Sequence, residues 1–110
     1  MNYTIDFYSD AIRKEINALP LGFRTRFVSL SDRMIEHGAN LGEPHTEAMG
    51  NGLFEMRLKA SEGIARVFYC TLVGKRIVML HSFIKKTPKT PARELRLATT
   101  RMKEIKHENV

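Results

Sequence analysis

The chain has 110 residues, of which 43% are hydrophobic, and it carries a formal net charge of +6 at pH 7. This length predicts one domain, residues 1–110, and the ordinary hydrophobic fraction is not that of a disordered chain. Short apolar runs such as Ile77–Leu80, an N-terminus without signal-peptide features and a single cysteine argue against membrane spans, secretion and disulfides, so we expect a soluble cytoplasmic protein.

The first half of the chain predicts one strand followed by two helices. Residues 3–8 alternate between apolar or aromatic and polar side chains, as in a strand with one buried face. Ser9 can cap a short helix that runs to Leu19, where Pro20 interrupts it. The second helix ends at Gly38, and its apolar residues, at spacings of four, three and four, are Phe23, Phe27, Leu30 and Met34. Residues 39–52 contain three glycines and one proline, and we expect a loop there.

The second half predicts three strands and a final helix. Alternation marks the strands at 53–59, 64–72 and 76–84, and the turns between them are short enough for hairpins, so an antiparallel meander is expected. Thr90 is predicted to cap the final helix, with Pro91 as its first residue. The buried stripe of this helix is Leu95, Ala98, Met102 and Ile105. The predicted fold class is α+β, in the order β-α-α-β-β-β-α, with the helices packed mainly on one face of the sheet.

The positive charge is concentrated in the second half of the chain. Residues 1–51 hold five Lys and Arg against seven Asp and Glu, a net of −2, whereas residues 52–110 hold thirteen against five, a net of +8. Charge runs are usually solvated helix faces. A distribution this uneven in a small chain nevertheless favours a polyanionic partner such as a nucleic acid.

Alternation along the three strands predicts which side chains share a face of the sheet. The apolar set, which includes Val78 and Leu80, is assigned to the helix-covered face. The opposite, open face is predicted to hold a carboxylate, two guanidinium groups, an imidazole and two aromatic rings: Glu55, Arg57, Arg66, His81, Phe68 and Phe83. Three lysines follow the last strand and form what we call the lysine rim: Lys85, Lys86 and Lys89.

These groups suit RNA cleavage by attack of a 2′-hydroxyl. The reaction needs a base for the hydroxyl proton, an acid for the leaving 5′-oxygen and cations for the charge that develops on the phosphate. Glu55 is the candidate base and His81 the candidate acid. Arg57 and Arg66 are candidates to bind the phosphate, since each guanidinium offers bidentate hydrogen bonds. Either phenylalanine could stack on an unpaired base, and the lysine rim could bind the RNA backbone.

Each of these features also has a purely structural interpretation. Glu55 with Arg57 or Arg66 could be a cross-strand ion pair, which is the interpretation that the residues alone favour. A lone histidine on a strand is more often structural than catalytic, the two phenylalanines belong to the core if a helix covers their face, and the lysines could be a solvated turn. Because no metal-ligand spacing, glycine-rich phosphate loop or Ser-His-Asp pattern occurs, no metal or cofactor is expected.

Three stretches of the second half form a combination that is specific although no single piece is: GLFEMR at 52–57, ARVFY at 65–69 and VMLHSFIKKTPKTP at 78–91. Together they resemble the phage-derived HigB-like branch of the RelE/ParE toxin superfamily. The resemblance implies a RelE-like fold and a toxin encoded beside an antitoxin, often a helix-turn-helix protein. It also implies cleavage of mRNA in the ribosomal A site without a metal.

The resemblance also suggests roles for residues by position. Arg57 and Arg66 match the basic residues that RelE-type toxins carry on their second and third strands. His81 and Glu55 match the general acid and general base of those relatives that use a Glu/Arg/His set. The ParE-like arm of the superfamily poisons DNA gyrase instead, so a toxin without chemistry of its own is an alternative, as is a phage-derived nucleic-acid-binding module without toxicity.

Overall fold

The structure, a computed structural model, describes residues 2–109. Its helices and strands are β1 Thr4–Phe7, α1 Asp10–Asn17, α2 Leu21–His37, β2 Thr46–Gly50, β3 Leu53–Ala60, β4 Gly63–Leu72, β5 Arg76–Lys85 and α3 Ala92–Glu108. The α+β class and the three predicted helices are confirmed, and the predicted strands agree with β1, β3, β4 and β5 to within about a residue or two. Within the described range, no helix has the length and apolar character needed to cross a membrane.

The five strands form one sheet in the order β1-β5-β4-β3-β2. The antiparallel meander predicted for β3, β4 and β5 lies at its centre. β1 pairs with β5 in parallel, from Thr4 opposite Arg76 to Phe7 opposite Met79, so the sheet is mixed rather than purely antiparallel. The N-terminal strand therefore closes the edge that β5 would otherwise expose.

The strand β2 lies within residues 39–52, where a loop was predicted. It pairs with β3 through a tight turn in which Asn51 (φ 56°) and Gly52 (φ 87°) are both left-handed. An Asn-Gly pair with positive φ at both positions is the usual signal of a two-residue hairpin turn. The pair Asn51-Gly52 is visible in the sequence, but the three glycines and the proline of residues 39–52 favoured the prediction of a loop.

Two of the helix boundaries have local causes in the sequence. The Ser9 hydroxyl accepts a hydrogen bond from the backbone of Ile12 at 3.2 Å, so the predicted cap of α1 is confirmed. For α3 the prediction is off by one residue, because Pro91 occupies the cap position and the helix begins at Ala92. The Thr90 hydroxyl reaches towards the Glu55 carboxylate (3.5 Å) instead of capping the helix.

The start of α2 is capped from a distant turn. Pro20 precedes this helix and provides no capping side chain. The backbone N–H of Gly22 donates instead to the carboxylate of Glu62, in the turn between β3 and β4, at 2.9 Å. This hydrogen bond lowers the pKa of Glu62 below its usual range. The bond also ties the first turn of α2 to the sheet.

The Glu62→Gln variant should therefore lose stability only where the carboxylate is charged. A depressed folded-state pKa contributes stability that is present above the unfolded pKa and is lost as pH falls through the folded pKa. Thermal unfolding should show a lower Tm than the wild type at pH 7, and the difference should vanish in acid. Glu15→Gln, an exposed carboxylate on α1, is the matched control. A Tm difference for Glu62→Gln that is independent of pH would contradict this account.

The helices cover both faces of the sheet, two on one side and one on the other. α1 and α2 pack on a larger core that includes Phe23, Leu30 and Tyr69. α3 packs on a smaller core that includes Phe68 and Cys70. The helices thus lie mainly on one face, as predicted, but α3 covers part of the face that was expected to be open.

A β-bulge in β5 changes which side chains share a face. Phe68 pairs with His81 and Tyr69 with Met79, so Leu80 is an extra residue in β5. One extra residue reverses the alternation beyond it. Leu80 and Val78 consequently pack in the core under α3, on the same side as His81, whereas the predicted alternation placed them opposite.

Candidate functional site

The strand register gathers the predicted site residues on the side of the sheet that faces α3. Three neighbouring rows run across this side. The first row is Glu47, Glu55, Phe68 and His81; the second is Arg57, Arg66 and Phe83; the third is Lys59, Ile64 and Lys85. In the first row, Glu55, Phe68 and His81 are buried near the start of α3. The third row lies at the end of β5, where the lysine rim begins.

Glu55 is a buried anchor for two arginines. Its side chain is 0% exposed, and one oxygen accepts from Arg66 Nη1 at 2.5 Å and from Arg57 Nε at 3.3 Å. The expectation that Glu55 lies on an open face is therefore wrong, because the start of α3 and the two guanidinium groups enclose it. A carboxylate with no exposed surface cannot meet a 2′-hydroxyl unless the groups that cover it move.

Arg57 is bound by three carboxylates. Its two terminal nitrogens donate to Glu43 and Glu47, and its Nε donates to Glu55. Although burial opposes the charged form, the hydrogen bonds and charges of these carboxylates prevail and raise the pKa of Arg57. A guanidinium with a carboxylate on every nitrogen is poorly placed to bind a phosphate as well.

Arg66 keeps free capacity for hydrogen bonding. Its side chain is 12% exposed, and Nη1 donates to Glu55. Its Nε is buried and has no hydrogen-bond partner within the described part of the chain. Unpaired buried donors are rare in proteins, and a guanidinium can bind an anion through Nε and a terminal nitrogen together. Of the two predicted phosphate-binding arginines, Arg66 is the one with fewer carboxylate partners, with one against the three of Arg57.

His81 lies under the first three turns of α3. Its Nε2 is 2.7 Å from a carboxylate oxygen of Glu94, and its Nδ1 is 3.4 Å from Nη1 of Arg101. The same Nη1 also donates to the backbone carbonyl of Leu80 at 2.8 Å. The imidazole is therefore on the same side of the sheet as the arginines, but it is mostly buried rather than open to solvent.

The two phenylalanines differ in exposure. Phe68 is completely buried under α3 and stacks on Phe83, with the ring centroids 5.8 Å apart. The expectation that Phe68 is available for an unpaired base is therefore wrong. Phe83 is half-buried and also stacks on the His81 ring at 6.0 Å. Phe83 alone of the two retains some exposed ring surface for a base.

The lysine rim is exposed and lacks acidic partners. Lys86 and Lys89 are exposed and Lys85 is half-buried, and none of the three has a carboxylate within ion-pair distance among residues 2–109. An open cavity of about 370 Å³ lies beside them. Its lining residues are Gly63, Ile64, Lys85, Lys86, Thr87 and Pro88. The rim and the cavity together form a positively charged depression at the end of β5.

Four charged residues of this region were not predicted as part of the site. Glu43 and Glu47 belong to the segment around β2 that was expected to be a loop. Glu94 and Arg101 are seven residues apart on α3, and Ala98 of the buried stripe lies between them. A spacing of seven places side chains on one helix face, so the helical pattern itself could have identified both. Across residues 2–109, no group of three or more metal-ligating side chains is arranged to hold a metal ion.

Comparisons with known proteins identify the family and the fold of the chain. Residues 14–103 match the family described as Phage derived protein Gp49-like. Among solved structures, the fold is similar to that of the E. coli toxin RelE, in the free state of a mutant with two arginines changed to alanine. The TM-score is 0.68 at 16% identity, and the match covers 93% of this chain and 99% of that chain. No curated protein matches significantly. The chain thus belongs to the phage-derived Gp49-like family and has the RelE-like fold that its motifs indicated.

Proposed function

We propose that this protein is the toxin of a type II toxin–antitoxin system and that it cleaves mRNA in the ribosomal A site. Membership of the Gp49-like family and the RelE-like fold support the toxin assignment. The partners are then mRNA, the ribosome and an antitoxin encoded beside the toxin, which we take to be a helix-turn-helix protein. The protein acts in the cytoplasm, and the reaction uses no metal or cofactor.

The observation that carries the nuclease proposal is the arrangement of positive groups around His81. Arg66 lies on β4, diagonally across from His81 on β5. Its Nε has no hydrogen-bond partner among the described residues. The lysine rim continues the positive surface beyond it. A strip of this kind can hold the RNA backbone electrostatically, with the scissile phosphate at Arg66 and the ribosome supplying alignment.

The proposed reaction is an internal transfer within the RNA. The 2′-oxygen attacks phosphorus, the bond to the 5′-oxygen breaks, and the products are a 2′,3′-cyclic phosphate and a 5′-hydroxyl. Protonated His81 gives its proton to the leaving 5′-oxygen, and Arg66 stabilises the charge on the phosphate. Because Glu55 is enclosed by its arginines, we do not retain it as the base, and the 2′-hydroxyl proton goes to solvent.

A non-catalytic toxin is the second candidate function. It is favoured by the burial of Glu55 and by the three carboxylates on Arg57, which neutralise two of the four predicted catalytic groups. A toxin of this type would bind a protein target such as DNA gyrase.

Controlled expression followed by mapping of mRNA 5′ ends distinguishes the two candidates. The nuclease proposal expects new 5′ ends within the coding region of a translated message and none in the same message without a start codon. His81→Gln, expressed to the same level, is the matched control and should give no new ends. Growth arrest without any new 5′ ends in the translated message would reject the nuclease and favour a protein target.

The lysine rim should contribute to RNA binding and little to folding. Replacement of Lys85, Lys86 and Lys89 by Gln should weaken ribosome association and flatten its salt dependence, since each lost phosphate contact lowers the slope of log K against log salt by about one unit. Substitution of Arg24 and Arg33 on α2 by Gln is the matched control, because these exposed arginines lie on a helix of the opposite face. Unchanged affinity and slope with a lower Tm would show that the rim is structural.

A further inference from the structure

We propose that Glu94 is a positioning residue that acts through His81, by fixing the orientation and the tautomer of the imidazole. This inference rests on the proposed nuclease function, in which His81 supplies a proton. Neither the motifs at 52–91 nor the alternation of the strands points to Glu94, which lies beyond them in the first turn of α3.

The geometry is that of a buried carboxylate–imidazole pair. The side chains of His81 and Glu94 are only 10% and 16% exposed, and Nε2 and Oε2 are 2.7 Å apart. Hydrogen bonds to a charged partner are stronger than neutral ones, and they are screened little when the pair is shielded from water. The second His–Glu contact of the described chain, His37 with Glu36, spans 3.7 Å between exposed side chains.

The hydrogen-bond partners of the His81 ring determine which of its two nitrogens carries the hydrogen of the neutral form. A carboxylate accepts hydrogen bonds, so Nε2 carries a hydrogen in the neutral ring and donates it to Glu94. Nδ1 is then the nitrogen without a hydrogen, in agreement with its long 3.4 Å contact to the donor Arg101. The additional proton of the acidic form must therefore enter and leave at Nδ1.

Both ring nitrogens of His81 face charged side chains of α3. Glu94 lies at Nε2 and Arg101 at Nδ1. From the sheet, the charged groups on the same side are Arg66 on β4 and Glu55 on β3, which pair with each other. Tyr8, from the segment after β1, lies under the Arg101 guanidinium at 5.0 Å and holds it in place. Glu94 is thus the carboxylate in direct contact with the ring.

Glu94→Gln removes the charge and keeps the size of the side chain. Single-turnover cleavage on translating ribosomes should become about tenfold slower, because the imidazole is held less firmly in the position from which it gives its proton. His81→Gln should slow cleavage by at least ~100-fold. The double variant should be no slower than His81→Gln, because Glu94 acts through His81. Glu108→Gln, an exposed carboxylate at the end of α3, is the matched control.

A second measurement separates this inference from the proposed function. NMR of the ring nitrogens of His81 should show the Nε2–H tautomer in the wild type, and in Glu94→Gln this tautomer preference should weaken. If the protein does not cleave RNA but the ring nitrogens behave as stated, the proposed function fails and the His81–Glu94 pair stands. If Glu94→Gln lowers the Tm while the cleavage rate and the tautomer stay unchanged, Glu94 is only a structural residue.

Discussion

Replacement of Glu55 by Gln is expected to lower the free energy of unfolding by about 3 kcal/mol, because it removes one partner of a buried ion pair. Glu55 is 0% exposed and accepts from both Arg57 and Arg66. Arg57 keeps its two other carboxylates in the variant, but Arg66 loses the one carboxylate that contacts it among the described residues. The cost arises mainly from a nearly buried guanidinium that is left without a counter-charge.

Glu43→Gln is the matched control for Glu55→Gln. Glu43 binds the same arginine, but its side chain is 62% exposed, and exposed ion pairs contribute at most about 1 kcal/mol. Urea unfolding of both variants at neutral pH gives the comparison. A Glu55→Gln protein that is as stable as the wild type but has lost cleavage would restore Glu55 as a catalytic base, contrary to its position in the structure.

Most of the predictions that depend on short-range pattern are confirmed. Apolar residues at helical spacing placed Phe23, Leu30 and Met34 in the core, and the hydroxyl of Ser9 caps α1. Strand alternation placed Arg57 and Arg66 on one side of the sheet. These properties depend on neighbouring residues and on backbone geometry, so a single sequence specifies them.

The predictions that fail at the candidate site depend on how distant elements pack. The bulge at Leu80 reverses the alternation of β5, and nothing in the composition of this apolar strand marks the extra residue. The position of α3 decides whether Phe68 and His81 are exposed, and a helical pattern shows which face of a helix is buried but not which sheet face it covers. Burial of Glu55 follows from the same packing, because its neighbours Arg66 and Thr90 belong to other elements.

The hydrogen-bond partners of His81 also depend on packing between distant elements. Strand alternation alone predicts that His81 lies on an open sheet face with arginines beside it. The structure adds Glu94 and Arg101, which come from a helix that starts seven residues after β5 ends. Contacts of this kind determine how an imidazole transfers a proton. The motif at 78–91 places His81 on a strand, but it does not specify these contacts.

Arg66 carries the largest expected effect on activity. Arg66→Ala should slow single-turnover cleavage by about 100- to 1,000-fold and relieve growth inhibition, because a donor aimed at developing negative charge typically contributes on that scale. The same variant should also lose stability, since the Arg57 contact at 3.3 Å is then the one ion pair left to the buried Glu55 among the described residues. Activity and stability must therefore be measured together.

Arg66→Lys separates the two effects. Lysine keeps a positive charge for Glu55 but lacks the planar fork that binds a phosphate through two nitrogens. We expect this variant to unfold close to the wild-type Tm and still to cleave far more slowly. Arg76→Ala is the control for removal of an arginine from the sheet, because Arg76 lies at the other end of β5 and pairs with Asp6. An Arg66→Ala protein that is folded, expressed to the same level and equally toxic would exclude Arg66 from the mechanism, and the lysine rim would then be left as the main phosphate-binding surface.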